Sequence, residues 1–419
     1  MRSIVLFSSL VLLACATGTA QTPVTLQVPG RANAHVSLAA DGQFVVAAWA
    51  SRLDSRSDVH VAVSRDGGRT FGEPVRVNTI EGEAAVGGER PPRVAISPEA
   101  GKRTIAVLWS ATTADGTVIR LAESRDGGLR FAPPRQLNAG DARGLRSWGS
   151  LSGSGAGVWH AAWLDGRAAA ASKPSAGASH VHHQHGSGAR PAGAPRQNLY
   201  YAAIGPDGTV RETLAAENVC FCCKTATLAS ADGTVWLAWR HIFTPGERDI
   251  AVARLDAGSD RFAAPVRVSH DRWRIDACPD DGPALAVDGE GRVHVVWPTL
   301  VDTSDPAKGI FHAVSADGRT FGPRQRIDGG SGIPSHPQIA VQPSGAALIV
   351  WDESVDGKRR VMMAAPGASA KPVVVDEGTY PAVAASDGGF VIAWTSADGQ
   401  AVRVRRIEKG GVAREAAGQ

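Results

Sequence analysis

One pattern recurs along this chain and limits what it can fold into: a short apolar segment, a turn that usually contains Gly, and a second apolar segment ending in Trp. The pattern closes at Trp49 (HVSLAADGQFVVAAW), Trp109, Trp163, Trp239, Trp297 (PALAVDGEGRVHVVW), Trp351 (PQIAVQPSGAALIVW) and Trp394 (PAVAASDGGFVIAW). Seven of the 11 tryptophans thus share one repeat position, which chance does not produce. Residues in these segments alternate with the period of a β-strand, and no stretch sustains a helical period. After most of the tryptophans come a variable loop, a third alternating segment (Asp58 to Val63, Thr117 to Ala122, Asp249 to Ala253) and a short fourth one (Pro74 to Val77, Pro134 to Leu137, Pro265 to Val268). Four antiparallel strands in a unit of roughly 40 to 60 residues are the signature of a β-propeller blade. The last unit lacks a fourth strand, while Val24 to Val28 reads as an extra strand ahead of the first. Pairing those two would close the ring and leave no open edge. The sequence predicts an all-β propeller of four-stranded antiparallel blades, seven by count of the repeat, in one domain over 21–411 with a tail at 412–419.

The turn after the third strand carries a second signal. Ser64-Arg65-Asp66-Gly67-Gly68-Arg69-Thr70-Phe71 and Ser124-Arg125-Asp126-Gly127-Gly128-Leu129-Arg130-Phe131 both fit S-x-D-G-G-x-x-F, and Ser315 to Phe321 fits with one residue deleted. In these turns the chain resembles the sialidase, or BNR-repeat, propeller superfamily, whose Asp boxes have this form. The resemblance spans nearly the whole chain after its first 20 residues and is specific for fold; since sialidases have six blades, it makes six the alternative to seven. Asp66, Asp126 and Asp317 are expected to be structural: a carboxylate can accept backbone N–H groups across a tight turn, and Gly supplies positive φ.

Residues 1–20 read as an export signal, with Arg2 as the only charge and a short apolar core from Ile4 to Ala14. That core is too short to span a bilayer. Gly18-Thr19-Ala20 suits an ordinary signal peptidase, whereas Leu12-Leu13-Ala14-Cys15 resembles a bacterial lipobox in which Cys15 would be lipidated. The expected location is therefore outside the cytoplasm: the periplasm, the outer membrane if lipidated, or the cell surface of a bacterium. Lys plus Arg number 44 against 41 acidic residues, and no basic block stands out, so nothing in the charge pattern points to nucleic acid.

Propeller topology sorts the remaining residues. Loops leading into first strands and loops leaving second strands emerge on one face, with the Asp boxes on the other. Nearly every chemically interesting residue falls on the first of these faces. Cys220, Cys222 and Cys223 precede the fourth unit, and Cys278 precedes the fifth at almost the equivalent position. One reading is disulfides, from Cys222 or Cys223 to Cys278, as an exported chain with four remaining cysteines allows. The other is a soft-metal site for copper or zinc, with His241 as an imidazole ligand. The Ala/Gly/Ser/Pro-rich insertion 167–196 carries His180, His182, His183 and His185 toward the same face; its composition cannot form a core, and it reads as a mobile capture loop.

The resemblance also implies an enzymatic alternative, an exo-sialidase-like glycoside hydrolase acting on terminal acidic sugars. Arg31 and Arg52 would bind the substrate carboxylate, with Arg240 and Arg274 as further clamp candidates. Asp58 would be the acid/base and Tyr380 the nucleophile. The Phe/Tyr-Arg-Ile-Pro motif of those enzymes is absent, since Arg31 sits in Pro-Gly-Arg-Ala-Asn. A third reading is a monomeric propeller that binds a glycan or protein partner, with its cysteines in disulfides. The repeat tryptophans are expected between blades, and His60, His294 and His312 as structural histidines in strands.

Overall fold

The computed structural model describes residues 22–99, 102–140, 143–155, 157–168, 197–244, 246–274, 281–300, 308–329, 332–367 and 371–411. The expected export signal with Cys15, the His tract at 180–185, Cys278 and the expected tail at 412–419 lie outside these residues. Every Trp that closes the repeat lies in the second strand of an antiparallel unit: Phe44–Leu53, Lys102–Thr113, Trp159–Asp165, Val235–Phe243, Val293–Leu300, Ala347–Val355 and Gly389–Ser396. Three units are separate four-stranded sheets. The others are joined in pairs, because the strand Val210–Val219 runs on to meet His241, and Val373–Ser386 serves as both the last strand of one unit and the first of the next.

The first strands of these units pack on one another in a closed cycle. Ala32–Asp41 lies against Arg93–Glu99, then in turn come Arg146–Gly153, Ala226–Ala229, Ala284–Val287, Ile333–Val341 and Val373–Ser386, which returns to Ala32–Asp41. The expected terminal pairing is present: Val24–Leu26 joins Val402–Glu408 antiparallel, with Val24 opposite Val404. The N-terminal strand thus supplies the missing edge of the last unit.

The core is divided among the contacts between neighbouring units, and each contact holds one repeat Trp. Trp49 packs with Ala382, Val391 and Val404 of the last unit, Trp109 with Val46 and Val61 of the first, and Trp394 with Leu348 and Val361 of the unit before it. All seven are at most 1% exposed. Burying an indole removes about 150–250 Å² from water, worth roughly 4–6 kcal/mol, so these side chains fix how each unit seats on the one before it.

The Asp boxes behave as expected. Asp66 Oδ1 accepts the N–H groups of Arg69 and Thr70, both at 2.9 Å, and Asp66 Oδ2 accepts the Thr70 hydroxyl at 2.6 Å. Asp126 and Asp317 repeat the pattern with Leu129 and Arg130, and with Arg319 and Thr320. Gly68 has φ +89°, and a Cβ there would come within 3.0 Å of Val391 in the last unit, so both conformation and space require glycine. Phe71, Phe131 and Phe321 pack into the cores shared with the preceding unit.

Candidate functional site

Four first strands carry the same irregularity. A β-bulge interrupts their pairing between Ala34 and Ser37, Ser147 and Ser150, Ser335 and Gln338, and Thr379 and Ala382. Each bulge holds a non-glycine residue at positive φ: His35 (59°), Trp148 (52°), His336 (59°) and Tyr380 (51°). Bulky residues held in this region cost about 1–3 kcal/mol each, and such strain gathers at sites that bind. In sequence the four share one register, His-Val-Ser-Leu, Trp-Gly-Ser-Leu, His-Pro-Gln-Ile and Tyr-Pro-Ala-Val, and Lys224-Thr225-Ala226-Thr227 has the same register in the fourth unit.

These residues meet where the first strands converge. A cavity of about 200 Å³ is lined there by His35, Glu89, Arg93, Lys224, His336 and Tyr380 among others. The Tyr380 ring lies between the two imidazoles, 4.2 Å from His336 and edge-on to His35 at 5.3 Å. Asp352, fully buried, accepts the His336 ring N–H at 2.8 Å and the Tyr380 backbone N–H at 2.6 Å, and pairs with Arg359. Burial first, then the charges of Arg52 and Arg90, bring the His35 pKa down to about 4. Burial likewise lowers His336, so both rings are neutral at pH 7. Lys224 is 1% exposed; its ammonium donates to the Pro337 carbonyl at 2.8 Å and pairs with Glu89 at 3.3 Å. Burial raises the Glu89 pKa despite that partner.

The cysteines sit directly behind this wall, in the loop that leads to Lys224. Cys220, Cys222 and Cys223 are at most 3% exposed, and their sulfurs all lie within 4.8 Å of one another. The Cys220 N–H donates to the Arg240 carbonyl at 2.9 Å, which ties the loop to the end of the second strand. Cys222 is disulfide-bonded, whereas Cys220 and Cys223 are free thiols with sulfurs 2.8 Å apart. The Cys223 thiol donates to Cys220. That bond, helped by Arg240 and by Arg248 with its Nη1 4.0 Å away, outweighs burial and lowers the Cys220 pKa to about 6. Burial and the neighbouring Cys220 push Cys223 up. Cys220 and Cys223 stand three apart, a C-x-x-C spacing that is hidden when the run is read as a single C-x-C-C.

His241 faces elsewhere. Its Nδ1 accepts the Trp239 indole N–H at 3.2 Å, and its ring packs edge-on to Phe243 at 4.6 Å. Asp165 and Glu353 do the same two residues after Trp163 and Trp351. In these three units the position after next to the repeat Trp is an acceptor position, and His241 fills it in the fourth.

The residues of the enzymatic alternative are divided. Tyr380 lines the cavity. Arg31 pairs with Asp58 at 2.7 Å and with Glu81 at 3.5 Å. Asp58 is fully buried; burial would raise its pKa, but the Gly82 N–H, Asn78 and Arg31 more than offset this and keep it a carboxylate. Asp249 is its counterpart in the fourth unit, accepting the N–H groups of Arg272 and Trp273. Both carboxylates brace a neighbouring loop, so Asp58 is not placed as a proton donor. Arg240 is 1% exposed, bonded to the carbonyls of Arg248 and Pro298 and stacked on Trp273, so it cannot clamp a substrate. Arg52 is exposed on the His35 side, and Arg274 reaches Glu247 at 3.7 Å. His35, Glu89, Arg93 and Lys224 were not among the sequence candidates; the shared register before each first strand was the signal for His35 and Lys224.

No protein family and no curated sequence matches the chain. Solved structures do. The Hadza microbial sialidase Hz136 aligns over 90% of this chain and 66% of its own at 13% identity, with a TM-score of 0.50. The α-L-arabinofuranosidase ARB93A from Fusarium graminearum, in complex with an iminosugar inhibitor, aligns over 93% and 98% at 13% identity, also at 0.50. A protein of unknown function from Dyadobacter fermentans covers 92% and 98% at 13% identity, at 0.48. The fold is that of the sialidase-like β-propellers. Among the described residues no helix is long and apolar enough to cross a membrane.

Proposed function

We propose that the protein is an exported binding propeller whose cysteine cluster takes a soft transition-metal ion, copper(I) or zinc. The observation that carries this reading is the close approach of three buried sulfurs, two of them free thiols 2.8 Å apart, with the Arg248 guanidinium 4.0 Å from Cys220. Thiolates select such ions, and metal binding displaces thiol protons. Cys220 and Cys223 are the ligands, with Cys222 available once its disulfide is reduced. Cys278 and the histidines at 180, 182, 183 and 185 belong to this reading as a disulfide partner and an outer capture tract. His241 leaves the ligand set because its ring nitrogen serves Trp239.

The test is elemental analysis of protein made in an oxidising periplasm, with free thiols counted on the same sample. About one equivalent of copper or zinc is expected, lost in Cys220→Ser/Cys223→Ser and kept when 180–185 are deleted. Metal that follows the His tract instead, or no metal with both thiols free, overturns the reading.

A second reading is favoured by Tyr380 between two neutral imidazoles in a polar cavity: a glycan-directed propeller, whether it binds a sugar or hydrolyses an acidic one. With Asp58 engaged elsewhere, Glu89 is the cavity carboxyl whose pKa is raised. Turnover of a fluorogenic sialoside, abolished by Tyr380→Phe, is its requirement as a hydrolase; binding without turnover on a glycan array would leave the lectin form.

A further inference from the structure

We infer that the cavity where the first strands converge takes up a small monocarboxylate together with one proton, and that the proton goes to Glu89. The charges on the cavity wall do not balance. Asp281 is paired with Lys308 at 3.0 Å, and Asp352 with Arg359. Lys224 and Arg93 are left to share Glu89: the Lys224 ammonium lies 3.3 Å from Glu89 Oε2, and Arg93 acts on the same carboxylate. Both histidines are neutral at pH 7, so the wall carries one positive charge in excess, with Arg52 and Arg90 adding to it from the His35 side. Arg93 uses Nε on the Gly149 carbonyl at 3.0 Å; its two Nη groups donate to nothing among the described residues and form a fork that suits a carboxylate. Neither Arg31, Arg52, Arg240 nor Arg274, the clamp that the resemblance implied, lines this cavity.

Glu89 is the proton site. It is 5% exposed, and its Oε2 accepts no hydrogen bond among the described residues although Lys224 is close. Burial favours its protonated form and Asp281 adds to this; Lys224 and Arg93 oppose it, and His336 faces it uncharged. A ligand carboxylate seated on Lys224 and Arg93 brings a second negative charge beside Glu89, and two carboxylates in one site do not both stay ionised. Glu89 therefore binds a proton as the ligand enters and changes from a competing anion into a hydrogen-bond donor. The cavity holds about 200 Å³, little more than the ~150 Å³ that encloses a benzene ring, so the ligand is a small acid and not an oligosaccharide. The inference concerns the cavity of the second reading without resting on it, since a small acid binds here whether or not a glycan does, and it needs no metal.

The experiment is isothermal titration calorimetry of the full-length protein with sodium lactate at pH 6, 7 and 8, each in two buffers of different ionisation heat. One lactate per chain is expected, held more tightly than about 1 mM at pH 6. Glu89 is ionised in the empty site at high pH and protonated in the filled one, so affinity should fall as pH rises, by up to about tenfold per unit, with proton uptake approaching one per lactate at pH 8. Glu89→Gln should bind lactate at least tenfold more tightly than wild type at pH 8 and show no dependence on pH. Arg93→Gln should weaken binding at least tenfold at every pH. If a variant fails to fold, the wild-type proton count still decides. No binding up to about 10 mM lactate overturns the inference. So does binding without proton uptake, tighter binding of sulfate than of lactate, or a pH dependence that survives in Glu89→Gln, which would put the proton on a histidine.

Discussion

Replacing His241 with alanine separates a ligand from a structural acceptor, and its magnitude follows from the local geometry. The Trp239 indole is 1% exposed and donates to His241 Nδ1 at 3.2 Å. A buried donor stripped of its partner costs about 1–3 kcal/mol. His241 is itself half-buried, so water entering the vacated space recovers part of this and sets the expectation near the lower end, about 1–1.5 kcal/mol. The assay is urea unfolding followed by Trp fluorescence for wild type, His241→Ala, Trp239→Phe and the double variant. Trp239→Phe removes the donor, so the second substitution should cost less in that background, and the cycle should give a coupling of about 1 kcal/mol. Metal content of His241→Ala should equal that of wild type. Additive losses, or a protein of unchanged stability that no longer holds metal, would refute the reasoning and restore His241 as a ligand.

Other expectations concern the cavity, the turns and the core. Lys224→Met removes the ion-pair partner of buried Glu89, leaving Arg93 as its cationic neighbour, and should destabilise by about 3 kcal/mol; adding Glu89→Leu should recover most of that, and denaturant melts of both variants check it. Asp66 has a folded pKa of about 2 against roughly 3.9 unfolded, so its contribution is complete above pH 4 and is lost as pH falls toward 2; stability of Asp66→Asn should vary less across that window. Thiolate absorbance should titrate with a midpoint near pH 6, moving upward in Cys223→Ser, where the donated hydrogen bond is weakened. Trp394→Ala should cost about 3–5 kcal/mol, since that ring is fully buried between two units.

The fold was legible because its periodic signals have one cause each. A Trp within every second strand marks the contact between units, the Asp boxes mark one set of turns, and the orphan strand at Val24 marks the ring closure. The cysteines were legible as a group, because their spacing alone brings them together in one short loop. What stayed hidden depends on which way a side chain turns. His241 and Arg240 are neighbours on one strand and so face opposite sides: one serves Trp239, the other stacks on Trp273. Asp58 was a candidate acid/base, yet it is buried near the start of the strand Arg56–Ser64, where it accepts the Gly82 N–H. The cavity residues were hard to find because they come from five different units, and the shared register before the first strands links only His35, Lys224, His336 and Tyr380.

The most direct test of the metal assignment is zinc K-edge X-ray absorption on the zinc-loaded, full-length protein. Bound by the Cys220–Cys223 pair, the ion should show sulfur neighbours at about 2.3 Å that disappear in Cys220→Ser/Cys223→Ser. A first shell of nitrogen and oxygen alone at about 2.0–2.1 Å would place the ion on histidines and contradict a site built on the cysteines.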